Sequence, residues 1–306
     1  MIPVIEPGAL TDTVAVIILV LFAGGVLGSR RKTEWGDLFL VAGWILFAVY
    51  WALLAPYYAF ELMSIIEGLL AALAVPASLY TAYLLWNGRE SIVRLSTAVF
   101  VAGVMILGIE IFPGAHTLLV ETVTRQIEFG VSLLGYDPTV VRLAEYDNTR
   151  TTFRFMTPDN HELTFTIITA CTGLGSIAIV SGLISAAPAP VLKKVRALAV
   201  VIPIIYGLNL LRTVFIAITF GYQKLDFVPS VIMPLFGTSD PYLVSYLWAD
   251  RIIGQGLSVI ALILIVLWLL RVLPELVVVV EDILYIITRE EYDLITFTKE
   301  EKLEKL

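Results

Sequence analysis

The chain has 306 residues, of which 58% are hydrophobic and only 15% are charged, and its formal net charge is -7. One water-soluble core cannot bury so much apolar surface, so most of that surface is expected to face lipid. The acidic balance does not support a nucleic-acid-binding face, which needs clustered Lys and Arg residues. The single cysteine excludes an internal disulfide and a CxxC metal site, and neither a metal nor a cofactor is expected.

Apolar windows of about 20 residues, the length that crosses a bilayer, recur along the chain and predict about seven spanning helices. The predicted spans are Thr11 to Leu27, Leu38 to Ala55, Ser64 to Trp86, Leu95 to Phe112, Thr169 to Ala187, Ala197 to Phe220 and Arg251 to Leu273. The expected fold class is therefore an all-α integral membrane protein.

The orientation follows from the short connections, because Lys and Arg collect in cytoplasmic loops. Basic residues fall on alternate connections, namely Arg30 to Lys32, Arg89 with Arg94, and Lys193 to Arg196. This pattern places the N-terminus outside the cell membrane and the C-terminus in the cytoplasm. The two long connections, residues 113–168 and 221–250, then lie on the outer side.

The first long outer loop changes its pattern along its length. Leu118 to Leu134 is amphipathic and predicts a helix at the membrane interface. Thr151 to Met156 and His161 to Ile167 alternate polar and apolar residues around Thr157 to Asn160, which predicts an extracellular β-hairpin with a four-residue turn. The second outer loop is rich in proline and aromatic residues, which is typical of an irregular lid.

These patterns divide the chain into a polytopic membrane domain, residues 1–273, and a cytoplasmic C-terminal tail, residues 274–306. The outer loops 113–168 and 221–250 are expected to cap an active site at the outer face. The tail ends in alternating charges between Lys299 and Lys305, as in a solvated helix or a frayed end.

Cys171 is a candidate nucleophile at the start of the fifth predicted span. If the hairpin strand runs to Ile168, Thr169 is the N-cap and Cys171 lies in the first helical turn. The helix dipole and the unpaired N–H groups there favour a thiolate. The alternative is a small apolar side chain that fills space between helices.

Arg212 lies about two helical turns below the outer end of the sixth predicted span. Inserting an arginine there costs at least ~2.5 kcal/mol, so its guanidinium is expected to face the protein interior and to have a partner. Asn209, one turn away, is placed to help hold it. The alternative is an arginine that snorkels to the outer interface.

Arg251 follows Asp250 at the predicted outer start of the seventh span, where an arginine alone is often an interface anchor. Cys171, Arg212 and Arg251 nevertheless come to a similar depth on the outer side. A thiol between two guanidinium groups is in the setting in which thiolates form near neutral pH.

The segments Ala170 to Gly173 (ACTG) and Asn209 to Arg212 (NLLR), followed by Arg251, resemble the exosortase and archaeosortase family. The resemblance covers nearly the whole chain in topology, while its motifs are short. It implies that Cys171 is the catalytic nucleophile and Arg212 its partner. Exosortases generally have histidine at the third position, whereas the archaeosortase that this chain most resembles has arginine, as Arg251 is here. Asn209, Thr172 and Gly173 are expected to support the site.

The resemblance also implies an intramembrane cysteine transpeptidase. Such enzymes recognise a C-terminal sorting signal of surface proteins, made of a Pro-Gly-Phe motif, a hydrophobic helix and a basic end. They remove the helix and link the new C-terminus to a membrane lipid, and surface-layer glycoproteins are typical substrates. Arg212 is expected to stabilise the thiolate and the oxyanion, and Arg251 either shares this role or binds the substrate backbone or a lipid phosphate.

Neither arginine can donate the proton that the leaving amine needs, because the pKa of a guanidinium lies above about 12. The chain has two histidines, His116 and His161. His161 precedes Cys171 on the strand that leads to it and is a possible proton donor, directly or through water. The alternative is an exposed histidine of the hairpin.

A membrane transporter or channel is the main alternative function, because buried charges in a helical bundle also mark ion paths. Glu67 and Glu110, near the outer ends of their predicted spans, are the residues that it would use. A non-catalytic sorting receptor would use the same charged outer cavity. A seven-span photoreceptor is excluded, because the predicted seventh span has no lysine for a Schiff base.

Overall fold

The computed structural model describes residues 8–31, 33–146 and 148–294. Within them, six helical segments are long and apolar enough to cross a membrane, so the chain is a multi-pass membrane protein. These segments are Ala9–Arg30, Trp35–Glu61, Ile65–Trp86, Ile92–Ile111, Val191–Gly221 and Leu243–Val272. The fifth predicted span corresponds to a shorter apolar helix, Leu174–Ala186. Its 13 residues rise about 20 Å, less than the ~30 Å of hydrocarbon in a bilayer.

The elements are bounded as follows. The helices are α1 (Ala9–Arg30), α2 (Glu34–Pro56), α3 (Ile65–Trp86), α4 (Ile92–Ile111), α5 (Pro113–Leu133), α6 (Leu174–Ala186), α7 (Val191–Gly221), α8 (Pro229–Phe236), α9 (Leu243–Tyr246), α10 (Gln255–Val272) and α11 (Val277–Thr288). The strands are β1 (Thr139–Arg142), β2 (Arg150–Met156) and β3 (Glu162–Thr166). Two π-helical segments, Tyr57–Glu61 and Leu247–Gly254, continue α2 and α9.

The chain forms two compact units that interleave in sequence. Unit 1 comprises Met1–Leu107, Ala178–Val201 and Ile263–Leu306, and unit 2 comprises Gly108–Ile177 and Ile202–Leu262. Every candidate catalytic or supporting residue of the sequence analysis lies in unit 2.

Unit 1 is a helical bundle with an aromatic centre. Phe22 is fully buried and packs edge-on against Trp44, with 5.4 Å between the ring centroids. The Trp44 indole donates a 2.9 Å hydrogen bond to the Ser96 hydroxyl. A buried indole N–H needs such a partner because no water reaches it there.

Gly182 lets α6 and α4 pack closely within unit 1. A Cβ atom at this position would lie 2.2 Å from the carbonyl oxygen of Ala98. Small residues commonly permit such close helix approach in membranes. Gly182→Ala is therefore expected to force the helices apart and to destabilise the protein by about 1–3 kcal/mol.

The apparent melting temperature in detergent measures this effect. Gly108→Ala is the matched control, because Gly108 lies on the partner helix α4 and a Cβ atom there meets nothing within 4 Å. Equal melting temperatures for Gly182→Ala and the wild-type protein would contradict the close packing of these helices.

The segment after the last spanning helix is a packed part of unit 1. Leu276, Val277 and Val279 are buried, and Asp282 pairs with Arg89 at 3.3 Å. This part of the C-terminal region is therefore a packed helix rather than a solvated segment. The charged stretch from Lys299 to Lys305 lies outside the described residues.

Unit 2 contains a three-stranded antiparallel sheet in the order β1-β2-β3. The predicted hairpin corresponds to β2 and β3, with Phe153 opposite Phe165. Strand β1 is an additional edge strand that pairs Val140 with Phe153. Phe153, Phe155, Leu163 and Phe165 alternate with exposed residues and form one side of the core of unit 2.

Helix α5 contains the amphipathic stretch predicted to lie at the membrane interface. Its residues Val120, Val123, Ile127 and Val131 are buried in the same core as the sheet. The side that is most regularly apolar therefore covers protein rather than lipid. Phe129 is one of the apolar side chains of this helix that are exposed. The position of the helix at the membrane interface stays a prediction.

The second long loop is more ordered than the predicted lid. It contains α8, and the last spanning segment begins at Leu243 rather than at Arg251. Val244, Leu247 and Ala249 are fully buried and make this stretch helical. The sequence pattern did not predict the helical part before Arg251, because a proline precedes it and an Asp-Arg pair interrupts its apolar pattern.

Candidate active site

Cys171 lies in a short turn between the sheet and α6. After β3, residues Thr169–Thr172 form a 3-10 turn whose N-cap is Ile168, not Thr169 as predicted. The Thr172 hydroxyl accepts a 3.3 Å hydrogen bond from the N–H of Leu174, the first residue of α6. Cys171 therefore precedes α6 instead of lying in its first turn. The predicted stabilisation of the thiolate by the first turn of a helix does not apply to this position.

Gly173 and Asn209 fix the turn that carries the thiol. Gly173 has φ +78°, and a Cβ atom on it would lie 3.0 Å from Cβ of Asn209. The Asn209 amide donates a 2.7 Å hydrogen bond to the carbonyl oxygen of Cys171. Asn209 was expected to hold Arg212, but its amide instead holds the backbone of Cys171, because the glycine lets α7 approach this turn.

Arg212 and Arg251 share one carboxylate. The Arg212 Nη2 atom lies 2.6 Å from Oδ1 of Asp250, and Arg251 Nη1 lies 3.1 Å from Oδ2. The side chains of Asp250, Arg212 and Arg251 are 9%, 25% and 11% exposed. Arg212 thus has the interior partner that its position in an apolar helix requires, and that partner is Asp250.

The π-helical segment Leu247–Gly254 carries two of these three charges. Such segments are rare and are often found at functional sites. Gly254 closes the segment, where a Cβ atom would lie 2.8 Å from the Ala249 carbonyl oxygen and 3.0 Å from Nε of Arg212. A glycine is therefore required both for the π-helical turn and for the close approach of Arg212.

The charged cluster acts on the thiol. Burial raises the pKa of the Cys171 thiol above its usual range, and the Asp250 carboxylate adds to this effect. The guanidinium groups of Arg212 and Arg251 oppose it by lowering the pKa of the thiol. The guanidinium of Arg251 also lies over the ring of Tyr246, 5.4 Å from its centroid. The structure thus brings the three predicted catalytic residues into one cluster of unit 2.

Two donors of the cluster are buried without a hydrogen-bond partner among the residues that the structure describes. They are the Nε atoms of Arg212 and Arg251. A buried N–H without a partner costs free energy, which binding of an acceptor would recover. These donors suit a negatively charged or carbonyl oxygen of a bound substrate.

His161 lies at the turn of the hairpin. It is exposed, and its ring stacks on Tyr242 with 4.1 Å between centroids. Hydrogen bonds from the side chains of Thr157 and then Tyr242 lower the pKa of the neighbouring Asp159 carboxyl. The five residues of β3 extend about 16 Å between His161 and the turn that holds Cys171. This separation argues against direct proton donation by His161.

His161→Ala is accordingly expected to process a substrate tail within about threefold of the wild-type rate, because the strand keeps the imidazole from the thiol. His161→Phe is the matched control, since it keeps a ring on Tyr242 and removes the proton. The rates are measured under single-turnover conditions. A large loss of turnover in both variants would support His161 as the proton donor.

The remaining candidate charges lie outside this cluster. Glu67 is half-buried in the first turn of α3, in unit 1, and Glu110 is exposed near the end of α4. Among residues 8–31, 33–146 and 148–294, no group of His, Cys, Asp and Glu side chains could hold a metal ion.

Comparison with known proteins gives one consistent result. A sequence profile described as transmembrane exosortase matches residues 9–239. The chain is 44% identical to archaeosortase A of Haloferax volcanii over 94% of its own length and 97% of that protein. It is 35% identical to archaeosortase A of Natronomonas pharaonis over 90% of its length and 89% of the relative. No solved structure matches the chain.

Proposed function

Because the chain belongs to the transmembrane exosortase family, we propose that it is an intramembrane cysteine transpeptidase that sorts surface proteins. One observation carries the proposal. Cys171 lies in a turn held by Asn209, and it shares an electrostatic cluster with Arg212 and Arg251. Cations beside a cysteine favour its thiolate, which is the nucleophile in acyl transfer through a thioester.

The proposed substrates are surface proteins that end in a Pro-Gly-Phe motif, a hydrophobic helix and a basic segment, including surface-layer glycoproteins. The product is the protein without its helix, joined through its new C-terminus to a membrane lipid. The two relatives named archaeosortase A support this assignment.

In the first step the Cys171 thiolate attacks the peptide carbonyl at the sorting motif. A C–S bond forms, the peptide C–N bond breaks, and the leaving amine takes up through water the proton that the thiol lost when it ionised. Arg212 and Arg251 have further N–H donors to offer to the oxyanion, including the unpartnered Nε atoms. One such donor typically contributes about 3 kcal/mol to the stability of the transition state.

In the second step an amine of a lipid head group attacks the thioester. The C–S bond breaks, an amide bond forms, and the amine proton returns to the departing sulfur. Neither guanidinium can supply a proton near neutral pH, so these two residues act through charge and hydrogen bonds only. The alternative role for Arg251, binding the substrate backbone or a lipid phosphate, uses the same donors.

We propose further that unit 2 lies toward the outer face of the cell membrane, with the N-terminus outside and the C-terminus in the cytoplasm. The basic loops at Arg30, Arg89 and Lys193 support this orientation. In this arrangement the loops 113–168 and 221–250 cap the site, and residues 274–306 lie on the cytoplasmic side.

The test is a reconstitution. The purified protein is incubated in lipid vesicles with a peptide that carries a Pro-Gly-Phe motif, an apolar helix and a basic end, and mass spectrometry follows the peptide. The proposal expects a cleaved peptide joined to a lipid. A peptide that stays intact but bound would instead indicate a receptor, and a peptide neither bound nor cleaved would contradict the substrate assignment.

A further inference from the structure

Asp250 lies at the centre of the two arginines but has no chemical role in the reaction proposed above. Each of its carboxylate oxygens takes a different guanidinium, at 2.6 Å for Arg212 and 3.1 Å for Arg251. The whole residue is 6% exposed. A carboxylate this deeply buried is stable only when paired, so its position is fixed by the two cations and fixes them in turn.

Asp250 and Arg251 are neighbours in sequence, and such side chains do not face each other on a regular α-helix. The π-helical segment Leu247–Gly254 brings them within hydrogen-bond distance. Its last residue, Gly254, leaves room for Nε of Arg212. The helix geometry thus builds one specific arrangement of three charges rather than a loose surface ion pair.

The consequence for the reaction lies in the donors that remain. Asp250 binds the terminal nitrogens Nη2 and Nη1, so neither buried Nε–H group is used by the carboxylate. The carboxylate also offsets one of the two positive charges that act on Cys171. A missing carboxylate would leave two guanidinium groups that repel each other and have no fixed orientation.

We propose that Asp250 is a positioning residue, which holds Arg212 and Arg251 in the arrangement in which their free donors stabilise the oxyanion. This inference rests on the proposed function. It predicts that the identity of residue 250 affects the chemical step much more than substrate binding, because the donors act mainly in the transition state.

The test compares Asp250→Asn and Asp250→Glu in the reconstituted assay. Asp250→Asn keeps the shape but not the charge, and kcat is expected to fall about 100-fold with little change in KM. Asp250→Glu restores the charge but displaces it by one methylene, so it is expected to recover about tenfold of that loss and to keep a kcat about tenfold below that of the wild type. A purely structural ion pair would lower stability without this split between kcat and KM.

Asp282→Asn is the matched control, because Asp282 is also buried and paired with an arginine, but in unit 1. It is expected to lower the melting temperature and to leave kcat unchanged. Wild-type turnover in Asp250→Asn, no recovery in Asp250→Glu, or an equal loss of kcat in Asp282→Asn would each overturn the inference.

Two further measurements, on the wild-type protein and on Cys171→Ala, distinguish failure of this inference from failure of the proposed function. If the wild-type protein releases no product, or Cys171→Ala releases it normally, the proposed function itself fails. If both behave as expected and Asp250→Asn turns over normally, only the role of Asp250 fails. Should Asp250→Asn not fold, Asp250→Glu decides alone: a lowered kcat at unchanged KM supports the role, and an unchanged kcat overturns it.

Discussion

Cys171→Ala is expected to abolish both cleavage of the substrate tail and formation of the lipid-linked product. The proposed thioester requires this sulfur, and the chain has no second cysteine that could replace it. Loss of a covalent nucleophile typically lowers kcat by at least about 10³-fold. Mass spectrometry of the reconstituted reaction, with wild-type protein in parallel, measures the loss.

Cys171→Ser separates catalysis from packing. A hydroxyl has nearly the size of a thiol but is a far weaker nucleophile at neutral pH, so this variant is expected to fold normally and to be as inactive as the alanine variant. If the side chain only fills space, both variants would keep their activity and differ from wild type mainly in melting temperature.

The intermediate offers a second readout. Hydroxylamine added during the reaction is expected to capture the acyl group from the wild-type thioester and to release the N-terminal part of the cleaved peptide as a hydroxamate. Neither Cys171 variant should give this product. Normal lipid-linked product from Cys171→Ala would contradict the assignment of the nucleophile, whatever its effect on stability.

The membrane architecture is readable from the sequence because bilayer thickness dictates it. A window of about 20 apolar residues in lipid forms a helix, because a helix satisfies every backbone hydrogen bond within the segment. Six of the predicted windows overlap long spanning segments. The residues at which the spanning helices begin and end depend on local packing, which cannot be derived from the apolar pattern alone. The helix that begins at Leu243 is the clearest example, since buried Val244 and Leu247 are separated from the apolar run by Asp250 and Arg251.

The small sheet shows a similar limit. Buried and exposed residues alternate in β3 and in β2 from Phe153 to Met156, and this alternation predicted a hairpin. Thr151 and Thr152 are both buried, so the alternation does not extend over the whole of β2. Strand β1 has only four residues, without a clear alternation of buried and exposed positions, so its sequence carries little signal. It is defined by pairing with β2, which is a long-range interaction.

The candidate site was predictable as a set of residue types but not as a set of contacts. A lone cysteine near a helix start and an arginine in an apolar helix are unusual enough to be noticed, and their depth follows from the spans. The partner of Arg212 does not follow from depth alone. Asp250 carried one usable signal, an acidic residue beside Arg251 at the edge of an apolar segment. Asn209 was assigned to the wrong partner because sequence spacing favours neighbours on one helix over contacts between elements.

Arg212→Lys is expected to lower kcat by about 100-fold or more while leaving the formal charge of the site unchanged. A lysine ammonium is a point charge on a flexible stem, whereas the guanidinium offers several donors in a fixed plane. Arg212 uses Nη2 for Asp250 and keeps Nε buried without a partner in the described chain. A lysine cannot serve both positions at once, so the oxyanion loses a donor.

Arg125→Lys is the matched control. Arg125 lies in the same unit, is 69% exposed and pairs with Glu121 at 3.3 Å, so this exchange is expected to leave kcat and KM unchanged. The comparison distinguishes two physical roles for Arg212. If positive charge alone stabilises the thiolate, Arg212→Lys should retain most of the activity. If the geometry of the donors matters, activity falls although the charge remains, and the loss appears in kcat, because the oxyanion exists only during the reaction.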